Sequence, residues 1–240
     1  MKSVPERQAL RAIQQGPVSM GPMRGFTLTE ISIVLVIIGV ILAAVTSGGD
    51  LLRHASGQRI HSQFITGWRN AFISYVGVTR TVPGDDLAAP TFVIRGRGGA
   101  GALCNDEVEA TLNDIMLRQG IELPSGRSET QSDRYVYQDG NGIAHELRVC
   151  FRTVPWTVNG SSTGIFATVN RHVMQITGLT PDVATQLDVL IDGRVDAQFG
   201  RFRLEALASQ TAPVSRGWPS DMDDAGALTG GEVSAYFDLR

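Results

Sequence analysis

The chain has 240 residues, 42% of them hydrophobic and 19% charged, which suits one globular domain with a sizeable core plus an N-terminal helix. Residues 1–25 hold four basic side chains and one acidic one, so the remainder carries 17 basic and 23 acidic side chains, a net charge of −6. This acidic balance argues against strong nonspecific binding to nucleic acid, which requires clustered cations.

The first 25 residues are polar, contain several Pro and Gly residues and are predicted to form no packed unit. Their basic side chains are Lys2, Arg7, Arg11 and Arg24. Positive charge that precedes an apolar segment predicts a cytoplasmic N-terminus, so the residues after the segment are expected to be exported.

Residues 26–45 form an apolar run whose one ionisable side chain is Glu30. As a helix this run would be roughly 30 Å long, which matches one bilayer core and predicts a transmembrane segment. A carboxylate in such a run is costly, so Glu30 is a candidate functional residue.

The order Gly25, Phe26, Glu30 and then the apolar stretch Ile31–Val45 resembles the N-terminus of type IV pilins and pseudopilins. The resemblance implies cleavage between Gly25 and Phe26 by a prepilin peptidase, N-methylation of Phe26, and retention of the apolar helix. It also implies that the Glu30 carboxylate pairs with the Phe26 amine of a neighbouring subunit. Met20 is a second possible start, which would shorten the leader to six residues.

Other interpretations of the same run remain open. A plain signal anchor has the same hydropathy, and a secretory peptide cleaved near Leu42–Ala44 would discard the run. A lipoprotein is excluded, because no Cys lies near the run. Neither a signal anchor nor a secretory peptide accounts for the carboxylate at Glu30.

Residues 51–76 are amphipathic, and their apolar side chains recur every three or four residues. The predicted buried stripe is Ile60, Phe64, Trp68, Ala71, Phe72 and Tyr75. We therefore predict one long helix over 26–77, softened at Gly48-Gly49, with a globular head over 78–240. Pro83-Gly84 is the turn that begins the loop into the head.

The head is predicted to be an antiparallel sheet with two helices, giving an α+β, pilin-like fold in which the long helix packs on the sheet. The predicted helices start at Asn105 or Asp106 and at Thr180, and end near Gln119 and Leu190. The predicted strands are Thr91–Arg95, Arg134–Gln138, Ala144–Val154, Gly164–Asn170, a strand or hairpin within Arg194–Leu207, and Val233–Leu239.

The two cysteines, Cys104 and Cys150, are expected to form one disulfide in an exported head. In the chain-entropy model such a bridge stabilises the fold by roughly 4 kcal/mol. Two unpaired buried thiols are the alternative.

No catalytic or cofactor-binding pattern is present, so the sequence predicts neither an enzyme nor a bound cofactor. The histidines are scattered, at positions 54, 61, 145 and 172. Asp221, Asp223 and Asp224 are weak candidates for a calcium site without the spacing of an EF-hand, and a solvated acidic loop is the alternative. Asp188, Asp192 and Asp196 are weaker still, since Asp188 and Asp192 are predicted to be helix-surface and turn residues.

The sequence thus predicts a structural subunit of a type IV pilus-like filament, a minor pilin or pseudopilin of a pilus, type II secretion or DNA-uptake system. The resemblance implies as partners a prepilin peptidase, other pilin subunits, and the inner-membrane platform with its ATPase. The protein would cross the bacterial inner membrane once, with a periplasmic head, before entering a filament in the periplasm or at the cell surface. A major pilin and a non-polymerising membrane-anchored periplasmic binding protein are the alternatives.

Overall fold

The computed structural model describes residues 25–96, 101–106, 110–126, 131–160, 165–212, 217–219 and 231–240, and the side chains of residues 44–54 lie outside that description. The chain divides into two compact units, one ending at Ser47 and one comprising Gly48–Arg240. The predicted leader, residues 1–24 with Met20, lies outside the described residues.

The helices fall into two groups along the chain. The N-terminal region contains α1 (Leu28–Arg59), a π-helical segment (Ile60–Ile65) and α2 (Thr66–Thr79). The rest of the chain contains α3 (Leu112–Arg118), α4 (Pro181–Asp192) and a short 3₁₀ turn (Glu205–Leu207).

Five strands form one antiparallel sheet in the order β1-β2-β3-β5-β4. They are β1 (Arg134–Gln138), β2 (Ala144–Asn159), β3 (Phe166–Leu179), β4 (Phe202–Leu204) and β5 (Val233–Asp238). The part of the helical region that packs on this sheet begins at Ile60, and so lies within the second unit. The predicted α+β fold, with a helix on an antiparallel sheet, is therefore confirmed.

The core forms where the helical stripe meets one face of the sheet. The predicted stripe residues are all buried: Ile60, Phe64, Trp68, Ala71, Phe72 and Tyr75. Phe151 of β2 lies at their centre, with its ring 5.9 Å from that of Trp68 and 5.2 Å from that of Phe72, both edge-on. Edge-to-face pairs add to the free energy that comes from burying the ring area.

The π-helical segment enlarges the buried stripe. Both the backbone N–H and the hydroxyl of Thr66 donate to the carbonyl of His61, five residues earlier. This wider turn accommodates one extra residue, so Phe64 and Ile65 are both fully buried although they are neighbours in the chain. The regular helical period used for the prediction did not include Ile65.

Asp85 organises the loop that follows α2. Its carboxylate accepts hydrogen bonds from the hydroxyls of Thr81 and Thr91 and from the backbone N–H groups of Thr91 and Phe92, all at 2.8 Å. Burial by itself would raise the pKa of Asp85, but these hydrogen bonds outweigh it and lower the pKa to about 2.

The same loop overturns the predicted strand Thr91–Arg95. These residues form bends and turns, and Phe92 and Arg95 have positive φ angles of 56° and 66°. The N–H groups of Thr91 and Phe92 bind the Asp85 carboxylate, so they are not available for a strand ladder.

Helix α3 begins later than predicted, at Leu112 instead of Asn105 or Asp106. Thr111 caps it, since its side chain accepts a hydrogen bond from the N–H of Asp114 at 3.2 Å. Gly120 ends the helix with a φ of 72°, as predicted.

The strand bounds differ from the prediction mainly where tertiary pairing extends a strand. The hairpin over β1 and β2 is as predicted. Strand β2 continues to Asn159 and β3 to Leu179, because these two strands pair over twelve residues. In addition, β5 pairs with the second half of β3. Within Arg194–Leu207 only Phe202–Leu204 is a strand. The predicted strand Val233–Leu239 is present as β5.

The predicted disulfide between Cys104 and Cys150 is present. Leu103 and Phe151 exchange two backbone hydrogen bonds, so the next pair along the two chain segments is Cys104 and Cys150, with Cα atoms 4.5 Å apart. This separation is typical of a non-hydrogen-bonded antiparallel pair. The bridge fixes the segment before α3 to the edge of β2.

Arg203 of the edge strand β4 contacts residues of β2 on the face of the sheet opposite the helices. Its guanidinium carbon lies 4.0 Å from the centroid of the Trp156 ring, and its Nη1 donates to the carbonyls of Thr157 and Ala208 at 2.9 and 3.3 Å. A second apolar cluster surrounds it, containing Val154, Trp156, Val173, Ala208 and Tyr236. Arg203 therefore covers a small second core.

We expect Asp85→Asn to lower the free energy of unfolding by about 2 kcal/mol, because an amide cannot replace a carboxylate that accepts five hydrogen bonds. The folded pKa lies below the ordinary value, so this stabilisation is present near neutral pH and is lost as the pH falls through about 2. Urea unfolding from pH 2 to 7 would measure both effects.

The matched control is Asp86→Asn, because Asp86 is exposed and accepts one local hydrogen bond from Ala88. Equal stability losses in the two variants would contradict the role assigned to Asp85.

We expect the double substitution of Cys104 and Cys150 by Ala to lower the free energy of unfolding by about 3–4 kcal/mol, because the bridge closes a loop between residues 46 positions apart. Thermal unfolding of the oxidised wild-type chain, the reduced chain and the variant would test this. If reduction left the melting temperature unchanged, the bridge would not stabilise the fold.

Candidate functional site

The N-terminal segment begins with an extended stretch and then becomes helical. Gly25, Phe26 and Thr27 precede α1, which begins at Leu28, and Phe26 is 83% exposed. The backbone N–H of Ile31 donates to the carbonyl of Thr27 at 3.2 Å and closes the first turn. The peptide bond between Gly25 and Phe26 thus lies outside the helix.

Glu30 forms a reciprocal cap with Thr27. Its Oε2 accepts hydrogen bonds from the backbone N–H and from the hydroxyl of Thr27, both at 2.8 Å. In return, the backbone N–H of Glu30 donates to the Thr27 hydroxyl at 3.3 Å. This is a capping box, which satisfies two N–H groups that have no partner within the helix.

The position of Glu30 is electrostatically favourable, because a carboxylate at a helix N-terminus interacts with the positive end of the helix dipole. The structure thus assigns Glu30 a role within its own chain, while pairing with a neighbouring amine stays a prediction. The sequence analysis did not identify Thr27, although the spacing Thr-x-x-Glu is a capping-box signal.

The apolar side chains after Glu30 are uncovered in the isolated chain. Exposure is between 47% and 66% for Ile31, Ile33, Val34, Leu35, Val36, Ile37, Ile38, Val40, Ile41 and Leu42. An exposed apolar surface of this extent marks an interaction site with protein or lipid.

Among the described residues, no helix has the length and apolar character that a membrane crossing requires. The last part of the predicted segment 26–45 falls on side chains outside that description.

The calcium candidates Asp221, Asp223 and Asp224 lie outside the described residues. Within the described part of the chain, no group of three or more His, Cys, Asp or Glu side chains is arranged to hold a metal ion.

The prediction that Asp188 lies on the surface of its helix is wrong. Asp188 is fully buried, and its Oδ2 accepts hydrogen bonds from the indole of Trp218 at 2.8 Å and from the N–H of Asp196 at 2.7 Å. Burial raises the pKa of Asp188. Asp192 accepts from the N–H groups of Arg201 and Phe202, so these carboxylates order the loop after α4.

Among the histidines, His145 has two acidic partners. Its Nδ1 lies 3.0 Å from Oε1 of Glu232 and its Nε2 lies 3.3 Å from Oδ2 of Asp139, while its ring stacks on that of Tyr137. Burial acts to lower the pKa of His145, but the two carboxylates outweigh it and raise the pKa. The group joins the β1–β2 turn to the residues before β5.

Comparison with known families identifies one matching region. Residues 20–46 match the family model described as the prokaryotic N-terminal methylation motif, the signature of type IV prepilins. No curated protein and no solved structure was found to match the chain. The motif confirms the resemblance seen in the sequence and supports a pilin-like or pseudopilin subunit, which a prepilin peptidase processes and which assembles with other pilins.

We expect Thr27→Val to loosen the first turn of α1, because valine removes the hydroxyl of the capping box, at a cost of about 1 kcal/mol. Thr27→Ser retains the hydroxyl and is the matched control. Amide hydrogen exchange of residues 28–31 in the full chain in detergent would measure the change. Equal protection in the Val and Ser variants would contradict the cap.

Proposed function

We propose that this protein is a structural subunit of a type IV pilus-like filament and that it serves as a minor pilin or pseudopilin. One observation carries the proposal: the methylation motif over residues 20–46 coincides with an exposed apolar helix whose first turn is capped by Glu30. The motif alone supports a pilin-like subunit, and the exposed helix supports assembly through that segment.

The proposed processing step is cleavage between Gly25 and Phe26, followed by N-methylation of Phe26. The cleaved bond lies in the extended stretch before α1, where a peptidase would not have to unwind a helix. Cleavage creates a positively charged amine at Phe26, four residues before Glu30 in the sequence.

The proposed assembly step is pairing of the Glu30 carboxylate with the Phe26 amine of a neighbouring subunit. Both hydrogen bonds that the Glu30 carboxylate accepts in the capping box go to Oε2, so Oε1 can accept the amine while the cap is retained. An unpaired charge in an apolar helix bundle is heavily penalised, whereas a pair is tolerated, so pairing would set the axial register of the subunits.

The rest of the chain supports an exported head. The disulfide between Cys104 and Cys150 is of the kind that persists outside the cytoplasm. The protein would sit in the inner membrane with a cytoplasmic N-terminus, and an assembly platform with its ATPase would move it into a filament of a pilus, type II secretion or DNA-uptake system. The large head without repeats favours a minor subunit over a major one.

A structural role accounts for the chain without enzymatic activity, a bound cofactor or nucleic-acid binding, in keeping with the net charge of −6 after residue 25. A membrane-anchored binding protein that never polymerises is the competing function, and filament incorporation separates the two.

We expect the mature protein to begin with N-methylated Phe26 and to be present in sheared filaments. Glu30→Ala should leave cleavage intact but reduce incorporation about tenfold or more, because the Phe26 amine of the neighbour then loses its counter-charge. Mass spectrometry of the N-terminal peptide and immunoblotting of the filament fraction would measure the two effects.

Ser32→Ala is the matched control, since Ser32 is an exposed polar residue on the same helix that bonds only to the carbonyl of Leu28. Normal incorporation of Glu30→Ala would contradict the assembly role, and absence of the wild-type chain from filaments would favour the anchored binding protein.

A further inference from the structure

The side chain of His145, near the start of β2, lies between carboxylates from two distant parts of the chain. One belongs to Glu232, which directly precedes β5, and the other to Asp139, in the turn after β1. Glu232 is 87 positions away from His145 in the sequence, so the imidazole joins segments that the chain itself does not connect closely. We call these three side chains the histidine clasp.

The clasp lies where the backbone pairing of the sheet is interrupted. The ladder between β2 and β3 stops at Arg148, short of His145. At the same end of the sheet, β5 meets β3 at Val233 and Leu179, beyond a register irregularity. Because an irregularity weakens the local ladder, the side chain of Glu232 contributes more to holding the start of β5 than it would beside a regular ladder.

The imidazole has a fixed orientation, because it stacks on the ring of Tyr137 with centroids 5.5 Å apart. Tyr137 is buried, and its hydroxyl accepts a hydrogen bond from the N–H of Thr180 at 2.8 Å and donates to the carbonyl of Gly178 at 3.0 Å. Burial raises the pKa of Tyr137, so this hydroxyl stays neutral while a histidine titrates.

Two carboxylates that face the two ring nitrogens are fully satisfied by one protonation state of the imidazole. An ionised carboxylate accepts hydrogen bonds and has no proton to donate. The imidazolium has two N–H donors, one for each carboxylate, whereas the neutral ring has one N–H and presents a lone pair to the other carboxylate. Deprotonation of His145 therefore replaces one hydrogen bond with a repulsive contact.

Glu232 is the carboxylate that can leave. Its side chain is 49% exposed, so water can replace the imidazole. The side chain of Asp139 is 14% exposed, and its Oδ1 accepts hydrogen bonds from the N–H groups of Asn141 and Ile143, both at 2.8 Å. Asp139 is thus fixed within its turn in either protonation state of the histidine.

We propose that the histidine clasp is closed when His145 is protonated and opens when it is neutral, which releases Glu232 and loosens the start of β5. Within the described part of the chain, the ionisable groups that face the imidazole are Asp139, Glu232 and Tyr137. Neighbouring charged side chains of β1 and β2 pair with one another, namely Glu146 with Arg134 and Arg148. The clasp needs no second subunit, so this inference goes beyond the proposed function.

The direction of the pH dependence follows from the same contacts. Burial acts to lower the pKa of His145, but Glu232 and Asp139 outweigh it and raise the pKa above the ordinary value of 6.5. The stabilisation is therefore complete below pH 6.5 and is lost as the pH rises through the raised pKa of the folded state.

Amide hydrogen exchange of the full chain in detergent, from about pH 5 to about pH 9, tests the clasp. We expect the protection factor of residues 233–236 to fall about tenfold as His145 loses its proton, because one hydrogen bond to a charged group is lost. Protection factors are compared, since the intrinsic exchange rate itself rises with pH.

Two substitutions within the clasp should flatten this pH dependence. His145→Gln has no proton to lose in this range, and the amide of Glu232→Gln can donate or accept as the imidazole requires. Glu122→Gln and His61→Gln are the matched controls and should retain the full fall, because they remove an exposed carboxylate and an imidazole outside the clasp.

The wild-type titration tests the clasp even if a variant fails to fold. Constant protection of residues 233–236 over the whole pH range would overturn the proposal, and so would a fall of wild-type size in His145→Gln or Glu232→Gln. None of these measurements depends on filament incorporation, so failure of the clasp would leave the proposed function standing.

Discussion

The fold depends on one contact, the burial of the helical aromatic stripe against the sheet. Trp68 and Phe72 reach Phe151 from the helix, and Phe64 reaches Tyr135, with ring centroids 5.2 to 5.9 Å apart. Each such ring contributes roughly 1.5–3 kcal/mol when fully buried, so this layer supplies much of the hydrophobic stabilisation. The π-helical segment belongs to the same contact, because it adds Ile65 to the buried face. The helical stripe shields the apolar face of the sheet, whose exposure to water would be unfavourable.

Charged side chains then fix the parts of the chain that have no regular structure. Asp85, Asp188 and Asp192 each accept backbone or side-chain N–H and O–H groups of a loop. Arg203 does the converse, since its guanidinium donates to three carbonyls and covers the ring of Trp156. Buried charges of this kind are tolerated because hydrogen bonds replace their lost hydration. The loops of the head are thus ordered by individual charges, whereas the sheet and helices are ordered by apolar packing.

Two apolar surfaces remain uncovered when the chain is alone. One is the helix after Glu30, and the other is a groove beside Val189 and Leu190 on α4. Under the proposed function, the exposed helix after Glu30 is a contact of the assembled state. The capping box at Thr27 and Glu30 keeps the start of the exposed helix ordered without a partner. Local order at the N-terminus and exposed apolar surface beyond it are therefore compatible within one short segment.

The sequence by itself determined those features that depend on local chemistry. The motif around Gly25, Phe26 and Glu30, the buried stripe, the start of α4 after Thr180 and the β1–β2 turn all follow from residue type and spacing over a few positions. The pairing of Cys104 with Cys150 followed from the presence of two cysteines in the sequence.

Only the tertiary structure decided the features that depend on distant partners. Thr91–Arg95 has the apolar pattern of a strand, but the Asp85 carboxylate takes its N–H groups and turns it into a loop. Asp188 has the position of a surface residue, but Trp218, thirty residues away, brings its indole to the carboxylate and leaves Val189 and Leu190 outside. A short sequence pattern indicates the secondary structure and burial that a segment favours by itself. Contacts with residues elsewhere in the chain can override both.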